Sequence, residues 1–170
     1  MNMLVIAVAA VALAAAVVFV VGGRPRTYSS RTEITASPDE LFAYLTRPEL
    51  LTRWVGGLVA SEDLTGEGLR VGARSREIIK EGGRRIEMES EVLQVTPGRL
   101  LSMRLWAKGI VIQADYTLEP RGDQTVVSLT QVARYAGGLR LAAPFLDGAV
   151  ERKLARDFEA LKRLAERRAP

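Results

Sequence analysis

After residue 30 the chain sets out its elements in one order. A short strand leads into two short helices, about six strands of alternating pattern follow, and one long amphipathic helix ends near Arg167. This order constrains the fold more than any other feature. A helix with one apolar stripe and strands with one apolar face must cover each other to leave water. The expected class is α+β: a curved antiparallel sheet around a long C-terminal helix, with room for a ligand between them.

The sequence reads as three parts: an apolar segment over 1–23, a short linker over 24–27, and one ligand-binding domain over 28–168. The first part holds nineteen consecutive apolar residues, Met3 to Val21. As a helix this run extends about 28 Å, close to a hydrocarbon core of about 30 Å. Two readings follow, a transmembrane anchor or a cleaved signal peptide. The anchor is preferred, because no basic side chain precedes the run and it exceeds the about 7–15 apolar residues of a signal core. Ala14, Ala15 and Ala16 still offer a cleavage site, which would export the domain. Arg24, Arg26 and Arg31 follow the span, with no acidic residue until Glu33. The distribution of basic residues then places the domain in the cytoplasm, with these arginines within reach of anionic headgroups.

Composition excludes several chemistries. The chain has no Cys and no His, so it has no disulfide, no thiolate nucleophile, no Ser-His-Asp triad and no His/Cys zinc site. No cofactor and no metal are expected. The net charge of +4 is modest, and no basic stripe with interleaved aromatics suggests nucleic acid as a partner.

Local signals place the elements. Ser37-Pro38-Asp39-Glu40 is a helix start with a cap and a proline at the first position. Leu41, Phe42 and Leu45 form its buried stripe. Pro48 opens a second helix that ends near Trp54, before Gly56-Gly57. Gly82-Gly83 is a hairpin turn between strands over 73–80 and 85–95. In the second of these Ile86, Met88, Ser90 and Val92 share one face, while Glu87, Glu89 and Glu91 share the other. Leu101, Met103 and Leu105 share a face in the next strand. So do Ile110, Ile112, Ala114, Tyr116 and Leu118, and then Val127, Leu129, Gln131 and Ala133. The last helix spans 139–168 with a break expected near Pro144, and Leu146, Val150, Leu154, Phe158, Leu161 and Leu164 form its stripe.

Three stretches carry a resemblance to a known superfamily: ITASPDELFAYLTRPELLTRW (Ile34 to Trp54), DYTLEPRGDQTVVSLTQVARYAGG (Asp115 to Gly138), and the final helix up to FEALKRLAE (Phe158 to Glu166). They resemble the SRPBCC superfamily, with its START-like or helix-grip fold, and most closely its polyketide cyclase/dehydrase and lipid transport branch. The resemblance covers about Thr27 to Arg168. It implies a cavity between sheet and helix for a lipid, sterol, quinone or polyketide. It says little about catalysis, because one fold serves many functions.

On the strand phases above, the cavity lining is Trp54, Ile86, Met88, Met103, Leu105, Ile112, Tyr116, Leu129 and Gln131. Phe145, Leu146 and Val150 face them from the helix. A plainly packed core is the rival for each residue. Gln131 and Tyr116 are the polar groups expected to orient a ligand. The glutamates of the fourth strand are expected to be solvated, as are Asp115 and Glu119, with Arg104 stacked on Trp106 outside the sheet. Lys162, Arg163, Arg167 and Arg168 end the helix, where they oppose its dipole or meet an anionic membrane surface.

Three functions are compatible with this pattern. The first is membrane-tethered binding, transport or sensing of a hydrophobic small molecule, without catalysis. The second is a cyclase or dehydratase, which needs an ionisable group in an interior that these phases make apolar. The third is a regulatory or assembly factor acting through an exposed apolar patch near Trp54 to Val59.

Overall fold

The computed structural model describes residues 3–66 and 68–167, with side chains from residue 12 onward. Its elements are α1 (Met3–Gly22), β1 (Arg26–Ile34), α2 (Pro38–Thr46), α3 (Pro48–Trp54), β2 (Leu58–Asp63), β3 (Arg74–Glu81), β4 (Arg84–Thr96), β5 (Leu100–Ala107), β6 (Ile110–Arg121), β7 (Gln124–Tyr135) and α4 (Leu139–Glu166). The seven strands form one antiparallel sheet in the order β1-β7-β6-β5-β4-β3-β2. One face of the sheet packs on α4, giving the expected α+β grip of sheet on helix.

The turn chemistry explains the connections. Gly82 and Gly83 both have positive φ, 56° and 75°, as a two-residue hairpin loop requires to match strand twist. Ser37 caps α2, its hydroxyl accepting from the Glu40 amide at 3.3 Å. The Trp54 indole donates to the Tyr44 carbonyl at 2.9 Å and its ring meets Phe158 edge-on, with centroids 6.5 Å apart. Tyr44 in turn donates to the Leu164 carbonyl at 3.3 Å, and the Thr35 amide donates to Glu166 at 3.2 Å. These bonds fix α2 and α3 against the C-terminal half of α4.

The expected break at Pro144 does not occur, and α4 runs through it. Proline removes the donor for the Arg140 carbonyl. That carbonyl lies against Gly22 at the end of α1, where a Cβ would collide with it. The Arg140 guanidinium sits over the Phe19 ring at 5.1 Å, so α1 packs on the start of α4. The linker expected over 24–27 is also shorter, because β1 begins at Arg26.

Nine of the nineteen residues of the expected membrane span, 3–11, have side chains outside the described residues, and Arg168 lies outside them as well. Among the described residues no helix is long and apolar enough to cross a membrane. Of the three arginines after the span, Arg26 is committed elsewhere: it pairs with Asp147 of α4, while Arg24 and Arg31 are exposed.

On the outer face, Trp106 is covered by Arg74, 5.4 Å from the ring centre, and not by Arg104. Arg74 reaches across from β3 and also pairs with Glu89. The pairing register explains the difference, because β4 lies between these strands and sets Arg74 beside Glu91 and Glu89 beside Trp106.

Candidate functional site

A cavity of about 260 Å³ lies between the sheet and α4, with α3 closing one side. It exceeds the about 30 Å³ share of one water several times over and approaches the about 300–1,000 Å³ of small-molecule pockets. Most of its wall is apolar. Met88, Met103, Leu105, Ile112 and Leu129 come from the sheet, Val150, Leu154 and Phe158 from α4, and Trp54 from α3. A second cavity, of about 190 Å³, shares Leu45, Leu51, Glu77 and Met103 with the first and extends toward β2.

Nine of the twelve residues read from the sequence as lining are brought together here: Trp54, Met88, Met103, Leu105, Ile112, Tyr116, Leu129, Gln131 and Val150. Ile86, Phe145 and Leu146 are not. Ile86 has the right strand phase and pairs with Ile79, which lines the cavity, but it lies two pairs from the hairpin turn and is 40% exposed. Phe145 is 76% exposed. It follows the fully buried Ala143 by two residues, about 200° round the helix. Leu146 packs against the core without reaching the cavity wall.

The strand phases make the interior apolar, with Glu77 among the groups whose inward placement would favour an enzyme, and give no sign of Lys153 or Asp157. Glu77, Lys153 and Asp157 all line the cavity, which corrects the expectation of an apolar interior. Asp157 is buried on α4. Its Oδ1 accepts from the Gly56 amide at 2.9 Å and its Oδ2 pairs with Lys153 Nζ at 2.6 Å. The turn after α3 is thereby tied to α4. Gly56 is needed there, because a Cβ would come within 2.9 Å of Asp157 Oδ1.

Glu77 is 8% exposed, and hydroxyls from three neighbouring strands surround its Oε1: Ser61 at 3.1 Å, Ser75 at 2.9 Å and Ser90 at 3.3 Å. Ser75 and Ser90 also lie 2.7 Å apart, so one of these hydroxyls donates to the other and the remaining one, with Ser61, donates to Oε1. Glu77 Oε2 is buried and has no hydrogen-bond partner. Ile78 and Ile79 are consecutive, so β3 shows no alternation from which to read which way Glu77 points. Its pairing with the inward Met88 fixes that direction.

Three tyrosines also line the cavity, Tyr28, Tyr116 and Tyr135, and the first two have shifted phenols. Burial pushes the Tyr116 hydroxyl well above its usual range, and the Asp157 charge adds to this. The Tyr28 hydroxyl is pushed up by burial and by its 2.7 Å bond to Asp147. Both phenols are therefore neutral donors at physiological pH. Among the described residues no group of three or more acidic side chains gathers to hold a metal ion. The patch expected near Trp54 to Val59 does not form either, since Trp54 and Leu58 are buried and Val59 is the large apolar residue exposed there.

Solved structures share this architecture at low identity. The Zhui aromatase/cyclase from a Streptomyces species is 19% identical with a TM-score of 0.71, over 85% of this chain and 96% of that one. The di-domain ARO/CYC StfQ from the steffimycin biosynthetic pathway is 11% identical with a TM-score of 0.70, over 85% of this chain and 51% of that one. Ara h 8.0201 is 13% identical with a TM-score of 0.67, over 84% and 98%. At these identities the likeness establishes the fold alone. No curated protein matches the chain. The sequence itself matches one family model over residues 25–166, taking in every element from β1 to α4. The chain therefore belongs to the polyketide cyclase / dehydrase and lipid transport family.

Proposed function

We propose that this protein binds and carries or senses a hydrophobic small molecule in the cavity between sheet and α4, while α1 holds it at a membrane. The observation that carries the reading is the cavity of about 260 Å³ with its largely apolar wall. A filled core would have closed that space, since voids of this size are rare in packed interiors. A volume near the lower limit for such pockets suits a ring system or a short acyl chain better than a whole diacyl lipid.

The membrane role is supported by apolar surface at one end of the molecule. Leu13, Val17 and Val20 of α1 are 67%, 53% and 64% exposed, and Leu141 and Phe145 at the start of α4 are also exposed. Such a patch is unfavourable in water and favourable against lipid. The exposed Arg24 beyond the apolar run favours a cytoplasmic domain.

Native mass spectrometry of the full-length protein, extracted gently from its own membranes, tests the reading. A co-purifying apolar molecule is expected, and its mass narrows its class. A protein that carries nothing and takes up no hydrophobic probe would refute it.

A second reading is favoured by one observation. The carboxyl groups of Glu77 and Asp157 line the cavity, as a cyclase or dehydratase acting by general acid–base chemistry would need. It predicts turnover of a bound polyketide-like substrate that is lost in Glu77→Gln with binding retained.

A further inference from the structure

Glu77 is unusual in its surroundings. A carboxyl group buried in a mostly apolar wall is unfavourable unless its oxygens find donors. Here one oxygen is met by three serine hydroxyls, two of which also bond each other, while the other oxygen has no donor. The hydroxyls on Oε1 come from β2, β3 and β4, one residue from each, with Ser61 paired to Glu77 and Ser75 paired to Ser90 in the ladder. They fix the carboxyl plane and hence the place of Oε2. Lys153 pairs with Asp157 and makes no hydrogen bond to Oε2. Glu77 lines both cavities, so their shared wall holds one acceptor that is out of water and without a donor.

We propose that Glu77 is the polar anchor of the cavity and accepts, at Oε2, a hydrogen bond from a hydroxyl or amine of the ligand. This rests on the ligand-binding reading above and narrows it. The ligand is an apolar molecule with a hydrogen-bond donor at the end lying against β3. A pure hydrocarbon, or a molecule whose only polar atoms are acceptors, leaves Oε2 unpaired and binds less well. The preference comes from the bond that a donor-bearing ligand adds, because Oε2 is out of water and unpaired before any ligand enters.

Three probes of similar shape test this: naphthalene, 2-naphthol and 2-methoxynaphthalene, with none, a donor and an acceptor respectively. Binding to the full-length chain in phosphatidylcholine nanodiscs is followed by quenching of Trp54, in a Trp106→Phe background and against empty nanodiscs. The expected result is that 2-naphthol binds at least about tenfold more tightly than the other two. In Glu77→Gln the amide oxygen keeps the serine hydroxyls and the NH₂ takes the Oε2 position, so the preference moves toward 2-methoxynaphthalene. If circular dichroism shows that this variant has lost its fold, Glu77→Asp replaces it. That side chain draws the acceptor back by one methylene and should lose the preference for 2-naphthol. The wild-type comparison also stands by itself. Equal affinity for all three probes in the wild type would overturn the anchor while leaving the cavity reading intact. An undiminished preference for 2-naphthol in the variant would remove Glu77 from the role. Failure of every probe to bind would refute the cavity reading, and this inference with it.

Discussion

Replacing Asp157 by Ala tests how α3 is held on the long helix. The substitution removes two interactions at once, the bond from the Gly56 amide at 2.9 Å and the pair with Lys153 at 2.6 Å. Hydrogen bonds to charged groups contribute about 1.5–3 kcal/mol. Gly56 is exposed and water can replace part of the loss, so the lower figure applies. The Lys153 side chain is 28% exposed and that of Asp157 9%, so the pair is partly screened and adds about 1 kcal/mol at most. Asp157→Ala should therefore destabilise the fold by about 2 kcal/mol, Asp157→Asn by about half of that, and Lys153→Met by less than about 1 kcal/mol. Urea unfolding followed by Trp54 fluorescence measures all three, because Trp54 sits in the same joint against Phe158. A loss below about 0.5 kcal/mol for Asp157→Ala would refute the idea that this carboxylate fastens the joint. Equal losses for Ala and Asn would instead refute the division between the amide bond and the ion pair.

Trp54→Phe keeps most of the apolar bulk but loses the indole bond to Tyr44. A loss of about 1–2 kcal/mol is expected by thermal unfolding. Gly83→Ala forces a side chain into positive φ with nothing within 4 Å to clash, so its cost of about 1 kcal/mol is backbone strain alone. The raised phenols of Tyr28 and Tyr116 set an alkaline limit. Below about pH 10 both are protonated folded and unfolded, and their contribution is constant. Above it the unfolded chain releases the protons first, so stability falls as pH rises. Denaturant midpoints taken from pH 8 upward should be flat with respect to these groups until about pH 10. Asp63 acts in the opposite sense, because the Thr65 hydroxyl and the Thr65 and Gly66 amides hold its carboxyl low. Its contribution is present above the ordinary carboxylate range and lost on acidification, and Asp63→Asn should flatten that part of the acid profile.

The sequence carries the fold because each local signal agrees with the global one. Ser37-Pro38, Gly82-Gly83 and the apolar alternation through much of β5, β6 and β7 agree on register and direction. Six of the lining residues, Met103, Leu105, Ile112, Tyr116, Leu129 and Gln131, follow from that alternation. The errors occur where periodicity gives no phase. Ile86 shows that a strand's phase does not say where the cavity ends. Phe145 sits in the first turns of α4, where an assumed break at Pro144 released the helical spacing from the stripe that Ala143, Leu154 and Leu161 define. Glu77 was hidden by two successive isoleucines, and Asp157 by its place among the charges of an amphipathic helix. Both became visible only when tertiary neighbours, three serines and the Gly56 amide, gave them partners.

The sheet has two free margins, β1 and β2, and does not close on itself. A closed barrel can admit a guest only through its ends or by unzipping strands. This sheet behaves more like a leaf spring, clasped by a bar that is bolted to β1 through Asp147 and latched at α3 through Asp157. Opening the Gly56–Asp157 bond breaks no rung of the ladder, because neither residue belongs to a strand. On the proposed binding role, exchange of the Gly56 amide with deuterium should keep pace with exchange of the ligand, while the amides of β6 and β7 stay protected throughout.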